Sequence, residues 1–383
     1  MSMKSNGKNK RKNQNWVIFL FALMLIFFIY PFVKNIRSHI NIYESAINLL
    51  LFLILIFVPA LIFIFLHIII HEAGHLIFGL LSGYKFVSFR ILSFMWCSQD
   101  GKIVLKRVKL PGTSGQCLMS PPEFAHGKIP YRLYNLGGSL LNFIFSIIAI
   151  IIAIIMRTGI SGIVISLLIY FAGIGMYTGL SNAFPLTVSG INNDGKNALY
   201  LGKDSEALKT FYIMLKVNEY TTNGAMFKDM PDDYFILPSE EGLKNAITAN
   251  RIVFVCGRVM ENGNYENAAD IIDWFMEQDN ALPMVNIKLL KLNRLYCEIV
   301  GQRRPDYINA LYSKEQQMFI KIMGGISPDV VHTNYAYKLL IEGDTSGAQQ
   351  LKANFLKKSV KYPYKGDIKR VLEMMDFADR CAG

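Results

Sequence analysis

The sequence predicts a mainly helical polytopic membrane protein carrying a small β-hairpin region and a C-terminal helical, tetratricopeptide-like soluble domain. Three observations predict it. Of 383 residues, 52% are hydrophobic, more than a soluble chain needs to fill its core. Those residues gather in about four long spans, the length that a bilayer requires of a helix. Residues 200–383 instead show short amphipathic stretches separated by polar breaks, the pattern of packed soluble helices.

The elements follow in order. Residues 1–15 form a basic tail with Lys4, Lys8, Lys10, Arg11 and Lys12 and no acid. The first span, Trp16–Val33, follows it. Bulky Tyr30-Pro31-Phe32-Val33 stands where a signal peptide would carry small residues, so an uncleaved anchor is expected. The second span, Ala46–Leu81, is longer than a single crossing needs. It is expected to be one helix kinked at Pro59. The third and fourth spans, Leu140–Met156 and Ile160–Leu180, are expected to form a hairpin turning at Arg157-Thr158-Gly159. Four crossings place the termini and both basic regions on the cytosolic side, as the positive-inside rule requires.

Residues 83–134 are expected to form a cytosolic loop of the membrane core 16–199. Tyr84–Arg90 and Lys102–Val108 read as strands, Asp100-Gly101 as a hairpin turn, and Gly115–Met119 as a third extended piece. The sheet edge is a candidate for pairing with an unfolded segment. In the domain spanning 200–383, helices are expected at Leu243–Met260, Tyr265–Glu277, Ile287–Val300, Asp329–Ile341 and Ala348–Lys361. Residues 263–269 and 343–350 look like turn-plus-second-helix units, with binding of a protein partner the expected role.

Charge and cysteine usage narrow the function classes. The net charge is +11, but residues 191–383 carry −1 and the excess flanks the apolar spans. That placement argues against nucleic acid and for a lipid bilayer as partner. Five scattered cysteines without a CxxC pair suggest neither a disulfide framework nor a cysteine metal site. The Lys/Ile/Asn-rich composition hints at an AT-rich genome, and so at a bacterial plasma membrane.

The chemistry concentrates at His71-Glu72-Ala73-Gly74-His75, an HExxH motif inside the second span. On a helix, positions i and i+4 share a face, so His71 and His75 can hold one metal ion and Glu72 can take a proton from water held there. Ionisable residues in an apolar span are costly and therefore functional candidates. His67, one turn earlier, reads as a packed or supporting histidine. A catalytic site of this kind needs a third ligand. His39, His126 and His332 fall in loops or soluble segments. The favoured third ligand is Asp194, in the sequence Asn182-x-x-Pro185 … Asp194-Gly195 that ends the fourth span.

HExxH followed by NxxP…DG resembles the site-2 protease family of intramembrane zinc metalloproteases, and Gly138-Ser139-Leu140-Leu141-Asn142 resembles a glycine–asparagine motif of that family, with Ser139 where proline is common. The resemblance covers residues 46–200; no PDZ or CBS signature follows. It implies Zn2+ held by His71, His75 and Asp194, Glu72 activating water, and a membrane protein or peptide precursor as substrate. Asn142 and Asn182 become candidates for positioning substrate or backbone. Four residues usually separate the proline from the aspartate; here eight lie between Pro185 and Asp194. A metal-binding membrane scaffold without turnover, or a self-protection protein against a peptide toxin, is the alternative reading.

Overall fold

The computed structural model describes residue 19 and residues 23–108, 113–188, 190–324 and 327–383. Part of the expected first span therefore lies outside the described residues, as does the basic tail; residues 23–37 are helical (α1). Among the described residues, three helices are long and apolar enough to cross a membrane: α2 (Ala46–Leu81), α3 (Tyr131–Ile155) and α4 (Gly162–Ala183). α2 is a single 36-residue helix with Pro59 inside it. At 1.5 Å per residue it is about 54 Å long, well beyond the hydrocarbon thickness. Ser45 caps its start by accepting from the Asn48 N–H, and Ser161 does the same for α4 through Val164. Arg157-Thr158-Gly159 lies in the turn between α3 and α4, as expected.

The chain divides into two units. One holds the described residues up to Ser82 together with Pro130–Thr187 and Asn192–Tyr200; the other holds those of Gly83–Ile129, Val188–Ile191 and Leu201–Gly383. In the first, α3 packs against both α2 and α4. Its buried face is a stripe of small and polar residues, including Gly137, Gly138, Ser139, Asn142, Ser146, Ala149 and Ala153. Small side chains let apolar helices approach closely where no hydrophobic driving force exists between them. Gly74 and Gly137 meet backbone to backbone, with no room for a Cβ on either. Gly175 and Gly179 make room for His67, Ser146 and Phe143, so the GxxxG spacing serves packing within the chain.

In the second unit, strands β1 (Lys85–Ile91), β2 (Phe94–Gln99), β3 (Lys102–Arg107) and β4 (Gly115–Ser120) form an antiparallel sheet in the order β3-β2-β1-β4. Strand β2 is absent from the sequence reading. Asp100-Gly101 is a turn with positive φ at both residues, but it joins β2 to β3 rather than β1 to β3. The sheet groups with the C-terminal helices rather than with the three long apolar helices. Gln99 donates to the Pro363 carbonyl, the Arg107 N–H to that of Lys361, and Lys365 pairs with Asp100.

The remaining helices are α5 (Asp194–Tyr200), which belongs to the first unit, then α6 (Ser205–Thr222), α7 (Ala246–Ala249), α8 (Arg251–Glu261), α9 (Tyr265–Glu277), α10 (Met284–Val300), α11 (Pro305–Leu311), α12 (Lys314–Met323), α13 (Pro328–Leu340), α14 (Thr345–Ser359) and α15 (Lys365–Ala382). The expected helix over 243–260 is broken at Asn250, leaving α7 and α8. Buried apolar residues such as Ile252, Phe275, Leu290, Tyr335 and Met375 fill the core between them.

Glu298 in α10 is buried between Arg294 and Arg304. The Arg304 guanidinium, foremost, holds its carboxyl down at about 2. A depressed carboxylate stabilises the fold above its unfolded value and loses that contribution as pH falls through the folded one. The Glu298→Gln variant is expected to lose about 1–2 kcal/mol through its charge-assisted hydrogen bonds, since Arg294 keeps Asp273. Hydrogen exchange in α10 and α11 checks this; wild-type protection should fall toward the variant's between about pH 4.5 and 2.

Candidate metal centre

α2 places His71 and His75 one turn apart on the same face, and both are buried. Their Nε2 atoms lie 3.1 Å apart. Asp194, in the first turn of α5, brings its Oδ2 to 3.0 Å from His71 Nε2 and 3.3 Å from His75 Nε2. Tetrahedral ligands at about 2.0–2.1 Å from one ion sit roughly 3.3–3.4 Å apart. The three atoms therefore outline one face of such a tetrahedron, and His71, His75 and Asp194 can hold a metal ion.

Hydrogen bonding fixes which nitrogen of each ring is free. His75 Nδ1 lies 2.8 Å from the Tyr134 carbonyl of α3. A carbonyl only accepts, so Nδ1 carries the proton and Nε2 keeps its lone pair. His71 is governed by a longer chain. The Asn142 amide sits between two rings, 3.3 Å from His71 Nδ1 and 3.1 Å from His67 Nδ1, and His67 Nε2 lies 3.0 Å from the Phe171 carbonyl. That carbonyl requires a proton on His67 Nε2. A second proton would create a fully buried cation among apolar helices without a carboxylate partner, which is strongly unfavourable. His67 Nδ1 is therefore an acceptor; the structure places the Asn142 oxygen beside it and the NH2 beside His71, and turning that amide end for end lets its NH2 donate to His67. The amide oxygen then accepts from His71 Nδ1–H, leaving His71 Nε2 with a lone pair. In that arrangement two lone pairs and a carboxylate oxygen face one point, where a metal ion or a shared proton would relieve their repulsion.

Backbone geometry makes this approach feasible. A Cβ on Gly138 would meet the His71 ring within 2.6 Å, and one on Gly195 would overlap the Ala183 and Asn182 carbonyls at the end of α4. Both glycines are therefore required by close approach rather than by turn geometry.

The eight residues between Pro185 and Asp194 are accommodated by a loop closed at its base. The Asn193 N–H donates to the Leu186 carbonyl and the Leu186 N–H to Asn193 Oδ1. Asn193 also accepts from the Lys196 N–H at the start of α5, and its NH2 donates to the carbonyls of Ser181 and Phe184. One side chain thus ties the end of α4 to the residue before Asp194. Sequence reasoning missed Asn193; an Asn immediately before a short helix is an N-cap signal that could have found it.

The other expected site residues fall as follows. Glu72 is buried within α2, between the two histidines in sequence. Asn142 is fully buried and serves the imidazoles. Asn182 donates to the Thr178 carbonyl of its own helix and stands outside this network.

Removing either end of the relay should loosen His71. Asn142→Ala and His67→Phe are each expected to weaken metal binding by about 10–100-fold, while His71→Ala and Asp194→Ala abolish it. Metal titration of the detergent-purified chain against a chelator checks this. Asn193→Ala is expected to weaken binding too, by releasing α5. No protein-family model, curated protein or solved structure matches the chain.

Proposed function

We propose that this protein is a zinc-dependent intramembrane endopeptidase of the site-2 protease kind, cleaving a membrane-embedded protein or peptide precursor. The observation that carries the reading is the meeting of two imidazole nitrogens on the apolar, membrane-length α2 with the carboxylate oxygen of Asp194 in the short α5, with Glu72 adjacent in the HExxH motif. The donor set of two nitrogens and one oxygen suits zinc and leaves a fourth position open. Zinc bound there would supply a Lewis acid that polarises a peptide carbonyl and acidifies water.

The chain's own residues do the rest. Glu72 takes one proton from the attacking water as its oxygen bonds to the carbonyl carbon. Glu72 then delivers that proton to the departing nitrogen as the C–N bond breaks, giving a carboxylic acid and an amine; the second proton of the water passes from the acid to the amine, leaving carboxylate and ammonium. Asn142 and the Tyr134 carbonyl orient the rings of His71 and His75. A helical substrate must unwind first, because its carbonyls are occupied by internal hydrogen bonds. The tetratricopeptide-like reading of residues 200–383 makes that unit a candidate for binding a protein partner.

Glu72→Gln is the decisive variant. It is expected to keep the metal and lower cleavage by roughly 10²–10⁴-fold. The measurement is processing of co-expressed single-span membrane proteins in reconstituted vesicles, with full-length substrate accumulating in the variant. Undiminished processing by Glu72→Gln would remove the proposed role. Metal-loaded wild type that processes none of the substrates trapped by the variant would favour the scaffold.

A further inference from the structure

In the second unit, α6, α8, α10, α13 and the start of α15 converge on a cavity of about 300 Å3. That is roughly the space of ten waters. Its walls are mostly apolar and aromatic, with Met214, Val253, Phe254 and Tyr364 among them. A charged cluster lies at one side. Arg370 pairs with Asp329 at 3.0 Å and Asp367 at 3.1 Å, and Glu261 approaches it at 3.9 Å. Three carboxylates thus surround one guanidinium, itself buried and lying 4.7 Å over the Phe227 ring. Burial pushes the Glu261 carboxyl up to about 7 and that of Asp367 up to about 6, against the opposing pull of Arg370.

Two further side chains line the cavity with nothing to bond. His332 is 1% exposed, and neither ring nitrogen meets a hydrogen-bond partner. The Pro328 carbonyl one turn back influences the ring without reaching hydrogen-bond geometry. Burial holds His332 down at about 4, so the ring is neutral and offers one acceptor. Asn293 is 6% exposed, and its Oδ1 likewise has no partner. Buried polar groups are ordinarily satisfied, and orphans grouped on one cavity point to an occupant.

We propose that this cavity is a binding site for a small organic cation, a protonated amine with an apolar body. Its ammonium would sit between Asp329, Asp367 and the orphaned Asn293 oxygen and supply the missing positive charge. Its apolar body would lie along Phe254 and the methionines, where aromatic faces also favour a cation. A bare metal ion is disfavoured: among the described residues, only His71, His75 and Asp194 bring three metal donors together.

The test uses the full chain in detergent, with phenethylammonium as probe and 3-phenylpropanoate as its anionic counterpart. Calorimetry should show one saturable phenethylammonium site per chain, and hydrogen exchange should show new protection in α13 and α15. Asp329→Asn should weaken binding roughly tenfold, the loss of one charge-assisted hydrogen bond. Because that change touches a buried pair, Asn293→Phe serves as a second variant, filling the cavity without altering its charges, and should abolish binding. No saturable binding, equal binding of the anion, or binding indifferent to Asn293→Phe would each overturn the proposal.

Discussion

The first unit depends on a single electrostatic constraint: two imidazole nitrogens and a carboxylate oxygen, three potential metal donors, lie within 3.0–3.3 Å of one another. With neither a metal ion nor a proton between them, such atoms repel. They are forced together by hydrogen bonds made on the far side of each ring. The Tyr134 carbonyl turns His75, and the chain from the Phe171 carbonyl through His67 and Asn142 turns His71. Each bond is buried in an apolar setting, where an unpaired polar group is expensive, so the far-side partners enforce the near-side geometry.

Helix packing follows from the same constraint. For Tyr134 and Asn142 to reach rings on α2, the backbone of α3 must lie almost against it. Gly74, Gly137 and Gly138 allow that approach, and Gly175 opens the space in α4 that the His67 ring occupies. The small-residue stripe of α3 is thus both the packing surface and the route by which polar groups reach His71 and His75.

Much of this was legible in the sequence, for identifiable reasons. HExxH needs only helical periodicity to pair its histidines, and the length of Ala46–Leu81 is set by composition. α9 spans Tyr265–Glu277, the residues expected, because amphipathic period and polar breaks agree there. What stayed hidden depends on long-range pairing. Strand β2, with Phe94, Trp96 and Cys97, shows no polar alternation that separates it from a loop, and its register exists only through β1 and β3. The union of the sheet with the C-terminal helices rests on contacts such as Gln99 with Pro363, which no local pattern announces. Asn142 was legible as a candidate but not in its role, because that role depends on His67, 75 residues away in sequence.

The Pro185–Asp194 spacing shows how a departure from a motif can leave its geometry intact. Spacing matters only if the intervening chain is extended between its ends. Here Leu186 and Asn193 bond to each other, so residues added between them lengthen a loop and leave its ends in place. Asp194 follows the closed base directly, and Asn193 anchors that base to the carbonyls of Ser181 and Phe184. The position of Asp194 is therefore set by the residue before it and by Gly195 behind it, not by the distance to Pro185. By the same logic, the length of this loop is free to vary while the three ligand atoms stay together, provided that an Asn precedes the aspartate and a Gly follows it.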